Sequence, residues 1–172
     1  MSVPEGMLVE RLPIATFVID RAHRVVQWNA ACVALTGVPA SDILGTGDHW
    51  RAFYPVERPL MADLLVASAT EDQINGLYGE SWSRLGEDGS IQANAFCAAL
   101  PDGGRWLAAI ATPLRASDGS VIAAVQTCLD ITESKKADMA RLASQHPRQG
   151  GLARPRRTPQ QQRRQPPHGH LA

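Results

Sequence analysis

No stretch of this chain is apolar for long enough to span a bilayer. The opening residues, MSVPEGMLVERLP, lack the basic segment and apolar core of a secretory leader. A cytoplasmic protein without a membrane span is expected. Cysteine is scarce: Cys32, Cys97 and Cys128 are odd in number and far apart. They form no CxxC pair, no zinc spacing and no CxxCH haem-attachment motif, which argues against a disulfide framework, a metal centre and covalent haem. Small buried hydrophobes in a reducing compartment are the ordinary outcome for such residues. GxSxG, HExxH and a phosphate-binding glycine loop are all missing. With no catalytic motif, an enzyme is not expected.

Acidic residues are absent from the end of the chain. Residues 139–172 carry 7 Arg and no Asp or Glu, whereas residues 1–138 carry 10 Lys/Arg against 17 Asp/Glu. A zero net charge therefore hides an acidic body and a basic tail. The acidic body does not look like a nucleic-acid binder. Residues 146–172 hold 5 Pro, 5 Gln and 6 Arg with almost nothing apolar. Such a segment cannot offset its ordering entropy, and disorder is expected there.

What is present reads as a mixed α+β domain. LPIATFVID (12–20) is apolar on both faces, as a central strand should be. Val25–Trp28 completes a hairpin with it. Asn29 is a strong N-cap for a short helix over Ala30–Thr36, closed by Gly37. Pro39–Leu44 reads as a second short helix. The stretch TGDHWRAFYPVERP (46–59) reads as a structured loop, and Leu60–Ala69 returns to helix. Residues 70–90 are polar and show no clear element. Three strands follow, Ile91–Leu100, Arg105–Leu114 and Val121–Asp130, joined by turns as an antiparallel meander. Thr132 can cap a final helix running to Gln145, with Asp130 free to bond nearby N–H groups or a cation. Its apolar stripe is thin, so the helix should project from the body.

The loop supplies the candidate site. His49, Arg51 and Arg58 flank Trp50, Phe53 and Tyr54. Guanidinium forks bind carboxylates, and aromatic rings would wall such a site. The plainer alternative pairs these arginines with Asp48, Glu57 or Asp63 on the surface. Nine alanines on the three expected strands, from Ala93 to Ala124, leave little volume on the sheet. Either helices approach closely or a cavity remains, and dense packing is the commoner outcome. His146 follows the final helix, but Pro147-Arg148-Gln149 does not suit a phospho-acceptor.

The ordered set of segments resembles the PAS domain family, in the form found in bacterial sensor proteins. LPIATFVID looks like its first strand. VVQWNAACVALTG looks like its second strand and first helix, with Asn29 at the family's characteristic Asn. VPASDILG is similar to the next helix. GRWLAAIATPLRASDGSVIAAVQTCLDITESKKAD is similar to the last two strands and the Asp-Ile-Thr junction. The likeness covers about residues 8–138, and HWRAFYPVERPLMADLL is similar to a stretch of some bacterial sensors. One departure is His23, where the family commonly has a turn Gly.

The resemblance implies a five-stranded antiparallel sheet with short helices on one face. It divides the chain into a flank (1–11), a PAS domain (12–131), a signalling helix (132–145) and a tail (146–172). It implies a sensory module that binds a small ligand or dimerises, with Asp130 and Thr132 coupling sheet to output helix. A homodimer is the expected assembly. The family's flavin photoreceptors use a reactive Cys on the helices after the second strand; no Cys lies between Val33 and Phe96, so a flavin photoadduct is not expected. Haem would need an axial His on the helix at 60–69, which has none, so haem is disfavoured and the cofactor is left open. A histidine kinase or diguanylate cyclase output domain is expected after the junction, and the residues that follow are too few to hold one. The chain reads either as a module acting on a partner in trans, or as the first piece of such a sensor cut short by a stop or frameshift. A ligand-free dimerisation adaptor is the third reading.

Overall fold

The computed structural model describes residues 5–145; the tail at 146–172, with His146, lies outside the described residues. Its elements are α1 (Glu5–Glu10), β1 (Ala15–Asp20), β2 (Val25–Trp28), α2 (Ala30–Thr36), α3 (Ala40–Ile43), α4 (Met61–Val66), α5 (Glu71–Tyr78), β3 (Trp82–Leu85), β4 (Ser90–Cys97), β5 (Arg105–Arg115), β6 (Val121–Asp130) and α6 (Thr132–Gln145). A 3-10 turn at His49–Ala52 stands between α3 and α4. The strands form one antiparallel sheet in the order β2-β1-β6-β5-β4-β3.

The sheet has six strands among the described residues, where five were expected. The added edge strand, β3, lies in the polar stretch 70–90. Trp82–Leu85 is short and carries Ser and Arg, so its own pattern says little. It exists because Asp88 accepts from the Ser90 amide and hydroxyl, closing a tight turn that returns the chain along β4. Helix α5 lies in the same stretch. Thr70 and Gln73 form a reciprocal capping box at its start.

Other boundaries shift for local reasons. Strand β1 starts at Ala15 rather than Leu12, because the Asn29 amide engages the carbonyls of Val9, Leu12 and Ile14. Helix α4 covers Met61–Val66, shorter than the expected 60–69, with Leu60 as its N-cap residue. Pro39 precedes α3 as a cap and not as part of its first turn. His23 does adopt positive φ, +60°, in the β1–β2 turn.

The core lies between the helices and the inner sheet face. Phe17 packs against Trp28 and Phe53 at ring separations of 5.5 and 6.0 Å. On the strands, Ile19, Ile91, Leu107, Ala111 and Ala124 are buried on this face. Gln126 accepts from the Ala62 amide at 2.9 Å and so ties α4 to β6. All three cysteines are buried. Burial pushes the Cys32 thiol to about 12 and the Cys97 thiol to about 11. Cys128 is raised by the same cause. The alanines resolve toward close packing: a cavity of only about 20 Å³ remains beneath the sheet, bordered by Ala93, Ala95 and Ala109. That is room for roughly one water.

Candidate functional site

Three distant chain segments converge on one carboxylate. Asp63, on the first turn of α4, accepts from His23 Nδ1 at 2.7 Å and from His49 Nε2 at 2.8 Å. It also accepts from the Leu60 amide at 2.8 Å. An ionised carboxylate only accepts, so each imidazole nitrogen facing it carries a proton. His49 is 2% exposed, and its ring packs 5.7 Å from Phe17. Burial works to raise Asp63, but the bonds from His49 and His23 outweigh it and hold the carboxyl below the usual range. The other His49 nitrogen, Nδ1, is buried with no partner. With Nε2 protonated, this Nδ1 is an acceptor in the neutral ring.

Beside this cluster lies an open cleft of about 730 Å³, between the β1–β2 turn, the 3-10 turn and helices α4 and α5. His23, His49, Trp50, Arg58 and Asp63 all line it. The Arg58 guanidinium carbon lies over two rings, 4.4 Å from the Tyr54 centroid and 5.2 Å from that of Tyr78. Its Nη2 donates to the Leu77 carbonyl at 3.2 Å, while Nε is buried without a partner. Burial keeps both phenols neutral, raising Tyr54 and pushing Tyr78 to about 12. The cation therefore has aromatic walls and, among the described residues, no carboxylate within ion-pair distance.

The six loop residues separate, and Phe53 joins the buried core. His49, Trp50 and Arg58 line the cleft. Tyr54 faces the small cavity under the sheet. Arg51 lies 3.7 Å from Asp48 and stacks over Trp50, away from the cleft lining. Arg51 thus takes the expected surface pairing, but Arg58 does not: neither Glu57 nor Asp63 is its partner. Asp63 and His23 escaped the sequence reading as site residues. They are 40 positions apart and share no local motif.

At the opposite end, β5 and β6 hold the start of α6. Asp130 accepts from the Thr132 amide at 2.9 Å and from Arg105 at 3.1 Å. Partial burial opposes ionisation of Asp130, but the bonds from Thr132 and Arg105 leave its carboxyl below the usual range. Thr132 does not cap its own helix with its hydroxyl. That oxygen accepts from the Trp106 amide at 3.0 Å, and Ile131 donates to the Trp106 carbonyl. Lys135 sits 5.3 Å over the Trp106 ring. No residue of α6 is buried.

Asn29 is a structural pin. Its Oδ1 accepts from Thr16 and Cys32 amides, at 3.0 and 2.9 Å, while its Nδ2 holds the segment before β1. Among the described residues no cluster of His, Cys, Asp or Glu has the arrangement of a metal site.

Comparison with known proteins yields one family. The model described as PAS fold matches residues 9–136. Solved structures with similar coordinates include the PAS domain of Bordetella pertussis BvgS, 15% identical with a TM-score of 0.49, covering 83% of this chain and 95% of that one. An RNA-binding light-oxygen-voltage receptor is 21% identical with a TM-score of 0.56; 84% of this chain is covered, but only 40% of the receptor. The PAS domain of an HTR-like protein from Haloarcula marismortui is 16% identical with a TM-score of 0.45, over 73% of this chain and 88% of that domain. At such identities the likeness is one of fold. No curated protein matches the chain.

Proposed function

The chain belongs to the PAS family, whose members are sensory modules, and from that premise we propose that it converts a change in the body of the domain into a change in the setting of α6. The observation that carries this reading is the Thr132–Trp106 bond. It makes the first residue of α6 complete the hydrogen bonding of β5. A small shift of β5 must move the helix or break that bond. Because α6 buries nothing, about 1 kcal/mol of local bonding is enough to bias its orientation. The small-ligand form of the reading places the stimulus in the cleft at His49, Trp50 and Arg58. An output kinase or cyclase would receive the helix, in cis or in trans.

The buried thiols make a direct test practical. Cys32, Cys97 and Cys128 are shielded and held neutral, so a cysteine introduced by Ser144→Cys on exposed α6 takes a spin label selectively. Substituting Gln126→Ala in the core should change the label's mobility or inter-label distance. The same change made in a Thr132→Val background should not be transmitted. A label indifferent to Gln126→Ala would remove the relay reading.

A second reading, a ligand-free dimerisation adaptor, draws on the outer sheet face. Strand alternation puts Val18, Phe96, Ile110, Leu114, Val125 and Leu129 on that face. Several of them are exposed, an arrangement that suits a homodimer.

A further inference from the structure

Among the described residues, two buried side-chain nitrogens lack a hydrogen-bond partner: His49 Nδ1 and Arg58 Nε. Both belong to residues lining the same cleft. Unsatisfied buried polar groups are uncommon, and here both belong to side chains that form the wall of one cleft. The cleft, at about 730 Å³, has the size of a small-molecule site. It is separate from the cavity under the sheet, which holds only about 20 Å³.

We propose that this cleft binds a small monocarboxylate with an apolar body, its carboxylate on Arg58. The proposal rests on the small-ligand reading above and names the ligand's class. Arg58 is a positioned guanidinium: two neutral phenol rings lie against it, its Nη2 is tied to the Leu77 carbonyl, and no carboxylate pairs with it among the described residues. A planar fork held this way favours a planar oxyanion. The walls are largely apolar, through Trp50, Pro59, Leu64, Ala67 and Leu77, which suits a hydrocarbon body. Glu57, Asp63 and Asp72 also line the cleft. Asp63 is already engaged by its three donors. The remaining acids set the limit on ligand charge: one guanidinium among them accommodates a monoanion and disfavours a dianion such as phosphate.

The test uses the full chain and four probes: phenylacetate, hexanoate, phenylacetamide and inorganic phosphate. Binding is read from the Arg58 Nε–H resonance in ¹H–¹⁵N spectra during titration. Phenylacetate and hexanoate should shift it saturably. Phenylacetamide and phosphate should bind roughly tenfold more weakly or worse, since a charge-assisted fork is lost or a second charge is opposed. Arg58→Gln, followed through the Trp50 indole N–H resonance in the same cleft, should weaken phenylacetate by a similar factor. If that variant fails to fold, the acid-against-amide comparison on the unaltered chain still decides. Equal response to acid and amide, or no response to either acid at about 20 mM, which corresponds to negligible affinity, overturns the proposal. The Ser144 label distinguishes the two readings. Carboxylate binding with a silent label keeps the ligand class and sinks the relay. A label that responds to Gln126→Ala while neither acid binds does the reverse.

Discussion

His49 donates from Nε2 to Asp63 at 2.8 Å, and through the same carboxylate it is joined to His23, whose own bond is 2.7 Å long. The β1–β2 turn, the 3-10 turn and α4 are thereby fastened at one point. None of the three segments is long enough to hold its position by regular hydrogen bonding alone. The floor of the cleft depends on this carboxylate.

Asp63→Asn should destabilise the domain by about 1–3 kcal/mol, because one ring N–H loses an acceptor in a buried place. The pH dependence has a definite sign. Asp63 is held below its ordinary value in the fold. Its stabilising contribution is therefore complete above the unfolded value, about 4, and is lost as pH falls through the lower folded value. Urea unfolding of the native chain should weaken across that acidic window more steeply than that of Asp63→Asn. Parallel pH profiles for the two proteins would contradict the assignment.

Asn29→Ala should cost about 3 kcal/mol, combining a lost N-cap with several buried groups left unpaired. Asn29→Asp is the sharper probe. It keeps an acceptor for Thr16 and Cys32 but sets a carboxylate against the carbonyls of Val9, Leu12 and Ile14. Loss comparable to that of alanine is expected in denaturant titrations. An aspartate variant as stable as the native protein would show that the donors are unimportant.

These two positions show which parts of the molecule are legible in sequence. Asn29 is readable because its job is local: it sits where a strand meets a helix, and cap chemistry acts over three residues. Val121–Asp130 and the start of α6 at Thr132 match the expected bounds because turn residues and Asp-Ile-Thr punctuate them. The positive φ at His23 follows from its place in a hairpin turn. Asp63 is different. Its partners lie 14 and 40 residues away, and nothing near it in sequence indicates either. Arg58 misleads in the opposite way, since Glu57 beside it suggests a pairing that the Tyr54–Tyr78 clamp prevents. Strand β3 is set by its partner β4 and by the Asp88 turn. The Thr70–Gln73 capping box was available as a signal for α5 and was obscured by the polar character of the helix it starts.

Gly104 supplies a third prediction. Its φ is +94°, and an added Cβ would lie 2.6 Å from Phe96 Cζ and 3.1 Å from Ala98 Cα. Gly104→Ala should destabilise by about 2 kcal/mol or more, from backbone strain and displacement of the Phe96 ring. Phe96 pairs with Trp106 at 5.7 Å, so tryptophan fluorescence should change with the substitution. Adding Phe96→Leu should relieve the clash but not the φ strain, giving partial recovery. Full recovery would mean that the backbone conformation is not strained for alanine.

The outer sheet face carries the last prediction. Ile110 lies near the middle of β5, opposite Gln92 on one side and Thr127 on the other, and is 37% exposed; Leu129, on the neighbouring strand, is 53% exposed. A side chain on the outer face adds little to the monomer's inner core, yet covering its exposed part between two copies would stabilise a dimer by about 0.5–1 kcal/mol per isoleucine. Ile110→Lys adds a charge that must be desolvated in the same contact. Sedimentation equilibrium should therefore show the native chain dimeric at high micromolar concentration and Ile110→Lys weakened by roughly tenfold or more. Its circular dichroism and unfolding midpoint should stay close to native. A native chain that sediments as a monomer at that concentration removes the dimer. A dimer insensitive to Ile110→Lys moves it to another surface, where the exposed Met139 and Leu142 of α6 are the next residues to substitute.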